Sequence, residues 1–148
     1  MDNVTFTPPA IANLKDMLNK SAMLYGEKDA YQIKNSDGSF THYTYKDVLN
    51  MVQGLGTGLI NMGLKGQKIA IIGENRIEWE IAYLAIVCGV GIVVPIDKTL
   101  PENELKSVIE RSEKKPQIRY ITENFIHKKW VWKIEYNVYI IWRKSAIK

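Results

Sequence analysis

The sequence predicts an α/β fold, with helices packed on a partial, largely parallel sheet and an N-terminal β-hairpin in front of it. Three observations predict this. The stretch Lys68 to Asp97 reads strand, sharp turn, helix, strand. An Asp37-Gly38 pair separates two alternating segments, a strong hairpin signal. Apolar residues recur at helical spacing before and after these stretches.

In Lys68 to Asp97, Ile69 to Ile72 form an apolar run ended by Gly73, as expected of a strand buried on both faces. Ile77 to Cys88 is long and apolar enough for a buried helix, with Gly89 and Gly91 ending it. Ile92-Val93-Val94 supplies a second β-branched strand, and Pro95 ends it or marks a sheet edge. Two strands joined by one helix are most easily parallel neighbours with a right-handed crossover.

Thr7, followed by Pro8 and Pro9, predicts the first helix start. Ile11, Leu14, Leu18 and Ala22 form its stripe, and Tyr25-Gly26 its end. That stripe reads as a docking face within the domain in preference to a membrane-surface helix, because its charges are few and mixed. Residues 30–34 and 39–43 flank the hairpin turn, where Asp37 reads as a turn residue and not a catalytic carboxylate.

Thr44 to Asp47 reads as a capping box opening a second helix, with Val48, Val52, Leu55, Leu59 and Met62 on one face. Gly54, Gly56 and Gly58 lie inside it and Gly63 stops it. They do not form a dinucleotide loop: the spacing is G-x-G-x-G and no strand precedes it. Close helix packing is the expected reason for all three. Thr99 to Glu102 opens a short last helix carrying Leu105, Val108, Ile109 and Ser112.

The Gly73-Glu74-Asn75-Arg76 turn lies at the carboxyl end of the first parallel strand, the edge where such sheets usually bind ligands. Gly73, Asn75 and Arg76 are the candidate cofactor-binding residues, facing an anion at the helix N-terminus. The plainer alternative has Asn75 capping the helix and Arg76 pairing with Glu78 or Glu80. Trp79 and Tyr83, four apart, are expected to pack together. No catalytic residue is assigned, and no metal site is expected from the single Cys88 and two distant histidines. Cys88 reads as an inert buried thiol.

Composition adds bounds. At 46% hydrophobic residues the chain is no disordered polymer, and its length of 148 residues makes it one domain or a piece of one. No transmembrane segment is expected, since a span needs ~20 apolar residues. MDNVTFTPPA lacks a basic-then-apolar leader, and a reduced, cytoplasmic setting is expected. Residues 1–116 hold 13 Lys+Arg against 14 Asp+Glu, whereas residues 117–148 hold 7 against 2. All ten glycines and all ten leucines lie in the first part, and three of the four tryptophans in the second.

The sequence GENRIEWEIAYLAIVCGVGIVVPIDKTLPENEL, with the upstream TYKDVLNMVQGLGTGLINMGLKGQKIAIIG, resembles AMP-forming acyl-CoA synthetases, most nearly the long-chain fatty acid–CoA ligase branch of the adenylate-forming superfamily. The likeness runs from about Leu14 to Glu113. It implies an incomplete N-terminal domain of the adenylate-forming fold over 1–122, with a divergent basic, aromatic tail over 123–148. It implies, for a complete enzyme, that fatty acid and ATP form an acyl adenylate with Mg and that the acyl group passes to CoA. The family's Ser/Thr/Gly-rich phosphate loop ending in Lys-Gly occurs nowhere in these residues, nor does the small C-terminal domain with its lysine. The resemblance therefore implies an N-terminal fragment, inactive alone, that binds no ATP, Mg or CoA by itself. A non-catalytic interaction module reusing the scaffold is the alternative.

Residues 117–122 are expected to give the next strand. From Trp130 to Trp142 every even position is apolar, which predicts a strand or a hairpin turning near Glu135 to Asn137. A shifted-frame or fused ending explains this tail better than a nucleic-acid- or membrane-binding strand built on Lys128, Lys129, Lys133, Arg143 and Lys144; no nucleic-acid module is recognisable. An open tail edge would favour self-association.

Overall fold

The computed structural model describes residues 9–111, 131–132 and 138–141. In chain order these form α1 (Leu14–Tyr25), β1 (Asp29–Lys34), β2 (Phe40–Thr44), α2 (Tyr45–Asn61), β3 (Lys68–Ile72), α3 (Ile77–Ala85), a π-helical turn (Ile86–Val90), β4 (Ile92–Ile96), α4 (Glu102–Arg111), β5 (Val131–Trp132) and β6 (Val138–Ile141).

The first helix starts later than Pro8-Pro9 suggests. Residues 9–12 are not helical. The side chain of Asn13 accepts from Asp16 N at 2.9 Å, and Asp16 Oδ2 accepts from Ala12 N at 2.9 Å. This reciprocal pair sets the start of α1 and leaves Ile11 outside the helix. Thr7 and Pro8 lie outside the described residues.

β1 and β2 form an antiparallel hairpin. Asn35 N donates to Ser39 O, Gly38 N donates to Asn35 O, and Gly38 takes a positive φ of 87°. Asp37 Oδ1 accepts from both Ser39 N and Ser39 Oγ, as a turn residue should. The hairpin lies on a buried cluster of Leu18, Val48, Val52, Ile77, Ile81, Leu84 and Ala85. Burial, and then a hydrogen bond to Glu80 of α3, pushes the Tyr31 phenol well above its ordinary value.

The Thr44 capping box is present: Thr44 Oγ1 accepts from Asp47 N at 3.1 Å, and Thr44 N donates to Asp47 Oδ2 at 2.9 Å. α2 ends in a Schellman motif. Leu64 N donates to Leu59 O and Gly63 N to Ile60 O, with Gly63 at φ 79°. Leu59 and Leu64 are both buried, the hydrophobic contact that accompanies this cap. Of the three helical glycines, Gly56 does sit against α3: a Cβ there would lie 3.6 Å from Val90 and 3.7 Å from the Ala85 carbonyl. Gly54 does not, because a Cβ there would meet nothing within 4 Å. Helix packing therefore does not account for Gly54.

The larger sheet has the order β4-β3-β6-β5. β4, β3 and β6 are parallel and β5 is antiparallel to β6, so the sheet is largely parallel as expected. The tail thus supplies two antiparallel strands beside β3. Residues 133–137, where the hairpin turn is expected, and the strand expected over 117–122 lie outside the described residues. Ile69 to Ile72 are all buried, and Leu59, Leu64, Ile69, Ile71, Ala82, Ile86 and Val90 form the second core cluster. Ile92 N donates to Gln67 O, on the β3 side, so residues 93 and 95 face the other edge. Pro95, with no N–H, falls where no described strand needs a donor. α3 is α-helical only to Ala85; the chain then widens into the π turn, with Gly89 at φ 158°.

Acid should weaken this fold through its turns and caps. Hydrogen bonds from Thr44 lower the Asp47 carboxyl below its ordinary 3.8. Hydrogen bonds from Lys20 to Asp16, from Ser39 to Asp37 and from Thr99 to Asp97 do the same. For a depressed carboxyl, the stabilisation is complete above the unfolded value and is lost as pH falls through the folded one. We expect the urea midpoint to hold above about pH 5 and to drop as pH falls below about 4. Asp47→Asn should flatten that drop; parallel curves for the two proteins would contradict the assignment.

Candidate functional site

β3 and β4 run side by side and end together, at Ile72 and Ile96. The loops leaving them border an open cleft of about 660 Å³ lined by Gly73, Glu74, Asn75, Trp79 and residues 95–98. Two of the three candidates from sequence, Gly73 and Asn75, line it. Arg76 does not. It is the N-cap residue of α3, and its Nε donates to Glu78 Oε2 at 3.1 Å. Asn75 is not the cap, and α3 has no side-chain cap at all.

Two features of the cleft come from residues the sequence did not single out, and a third is the expected packing of Trp79 on Tyr83. Lys98 Nζ pairs with Glu74 Oε1 at 3.4 Å, tying the two loops together. Asp97 Oδ1 accepts from Thr99 N and Thr99 Oγ1, both at 2.8 Å, which shapes the turn into α4 and lowers the Asp97 carboxyl. Trp79 stacks on Tyr83, with ring centroids 5.5 Å apart and planes 19° from parallel, and its edge covers Gly73. A Cβ on Gly73 would come 3.2 Å from Trp79 Cδ1. Gly73 makes room for the indole; it does not open a phosphate cradle.

The cleft does not fit the phosphates of a nucleoside triphosphate or of CoA. It holds two carboxylates, Glu74 and Asp97, against one ammonium, Lys98, which Glu74 already engages. The first turn of α3, where a helix dipole would favour an anion, carries Glu78 and Glu80. No group of three metal-ligating side chains occurs among the described residues. Cys88 is half-buried, and burial raises its thiol above the ordinary value, outweighing the opposite pull of Lys15, so it stays protonated at neutral pH. No helix of the described residues is long and apolar enough to cross a membrane.

Comparison with known proteins places this architecture. The chain is 31% identical over 78 residues to the long-chain-fatty-acid–CoA ligase FadD15 of Mycobacterium bovis, a match covering 52% of this chain and 13% of that protein. It is 30% identical over 77 residues to fatty acyl-CoA synthetase A of Dictyostelium discoideum, covering 51% of this chain and 12% of the relative. The chain therefore spans about an eighth of the length of these relatives. Among solved structures, the N-terminal subdomain of Klebsiella oxytoca NpsA superposes with a TM-score of 0.60 at 19% identity, over 76% of this chain and 28% of that one. The model of the AMP-binding enzyme family matches residues 18–130, a span that extends beyond the Leu14 to Glu113 resemblance at its C-terminal end. The chain belongs to the AMP-binding enzyme family, with the fold of an adenylate-forming N-terminal region.

Proposed function

We propose that the chain is the N-terminal portion of a cytoplasmic AMP-forming long-chain fatty acid–CoA ligase and performs no turnover alone. In a complete enzyme the reaction would be fatty acid, ATP and CoA giving acyl-CoA, AMP and pyrophosphate. The observation that carries this reading is the 31% identity to a long-chain-fatty-acid–CoA ligase. The cleft chemistry supports the second half: its carboxylates oppose a triphosphate, so the groups that stabilise adenylation must be supplied from elsewhere. Removing one such group typically costs ~10²-fold or more in rate.

Two measurements test it. Purified chain given ATP, Mg, palmitate and CoA should release no pyrophosphate above the background; steady acyl-CoA formation would overturn the reading. Reading the coding DNA past residue 116 in all three frames should reveal a Ser/Thr/Gly-rich run followed by Lys-Gly. A stop with no such run in any frame would favour a non-catalytic interaction module.

A further inference from the structure

Among the described strands, the two outer edges of the larger sheet are each blunted. On the outer side of β4 the backbone positions of residues 93 and 95 point away from β3, and residue 95 is a proline, so that edge offers a single N–H donor, at Val93. At the other end of the sheet, β5 spans only Val131–Trp132, and so short an edge is a poor template for another chain. β3 lies between them and has no such protection of its own. It runs Lys68–Ile72 with no proline, glycine or acidic residue, and Ile69, Ala70 and Ile71 are at most 1% exposed. An apolar, isoleucine-rich run with a bared edge pairs readily with a copy of itself. The chain's own β6 occupies that edge: it runs parallel to β3, with Lys68 opposite Val138, Ile69 opposite Tyr139, Ala70 opposite Ile140 and Ile71 opposite Ile141.

We infer that the tail strand β6 is an intramolecular edge cap, which holds the second side of β3 and keeps another copy of this chain from adding there. The occupant that the cap excludes is a second copy because the bared edge is the same in every molecule and carries no charge beyond Lys68 to oppose self-pairing. The β6 ladder can open without opening the β3–β4 pair, since the two lie on opposite sides of β3. Release of the tail therefore exposes β3 while the rest of the sheet stays formed. This role is independent of the ligase reading and stands or falls apart from it.

The test places Tyr139→Pro together with Ile140→Pro in the full chain. Successive N–H groups of a strand point to opposite sides, so one of the two prolines removes a donor to β3. The readouts are sedimentation velocity over a concentration series and hydrogen exchange in dilute solution. The double variant should associate more strongly than the unchanged chain as concentration rises. In dilute solution its amides over residues 69–72 should exchange at least roughly tenfold faster. A synthetic peptide of residues 128–144, added in excess, should reverse both effects. Should the variant lose protection in the β1–β2 hairpin as well, the peptide decides: recovery of β3 protection and of the monomer supports the cap. A variant that keeps its β3 protection and associates no more than the unchanged chain overturns the inference. So does association, or loss of protection, that the peptide does not relieve.

Discussion

Gly91→Ala should be among the most damaging single substitutions in this chain, costing about 3 kcal/mol and lowering the thermal midpoint by on the order of 10 °C. The reason is room, not backbone conformation: Gly91 has φ −175°, which any residue adopts. A Cβ there would collide with the carbonyl oxygen of Gln67 and come 3.2 Å from the Gln67 nitrogen and carbonyl carbon. Neither side can yield cheaply. Gln67 O accepts from Ile92 N at 2.9 Å, Gly66 N donates to Val90 O at 2.7 Å, and Gly91 N donates to Ile86 O at 3.0 Å. The first two bonds bring the starts of β3 and β4 together and the third holds Gly91 on the π turn, so a shift to admit a methyl group would unzip the parallel pair at its start. Gly54→Ala is the internal control. Its Cβ would enter open space on α2, and removing a helical glycine there should be neutral or stabilise by up to about 1 kcal/mol. Equal midpoints for the two variants would show that the Gly91 contact is not limiting.

The contrast also shows what a sequence can reveal. Where structure is set by neighbours in the chain, the signals were readable: Asp37-Gly38 for the hairpin, Thr44 with Asp47 for the start of α2, and Gly63 for its end. The start of α1 is also local, but the sequence carries two competing signals for it, Pro8-Pro9 and, five residues on, Asn13 with Asp16, and the second one caps the helix. Gly91 was legible as a helix stop and not as a close approach, because its partner, Gln67, is distant in sequence and meets it only once the crossover has formed. The cleft divides the same way. Gly73 and Asn75 were found because a turn after a buried strand marks a sheet's carboxyl edge. Lys98 was not, since its pairing with Glu74 depends on two loops ending together. Electrostatic character was hidden for the same reason: it is the sum of both loops, and that sum is unfavourable to phosphate.

Leu59→Ala should cost about 2–5 kcal/mol, and nearer the upper end of that span than a generic core truncation. Leu59 is 1% exposed and packs in the cluster that includes Leu64, Ile69, Ile71 and Ile86, so little mobile structure is available to collapse into the vacated space. It is also the helix residue whose carbonyl accepts from Leu64 N, and its side chain makes the contact that closes the α2 cap. One truncation thus opens a cavity against β3 and loosens the turn that delivers the chain into β3. The two core clusters share Leu55 and Tyr83 at their border, and both are built from α2 and α3. The loss should therefore be felt across the molecule: the urea midpoint falls with an unchanged slope, and hydrogen-exchange protection drops together in β3 and in the β1–β2 hairpin. Loss of protection in β3 with the hairpin unaffected would mean that the two clusters unfold separately and that α2 does not couple them.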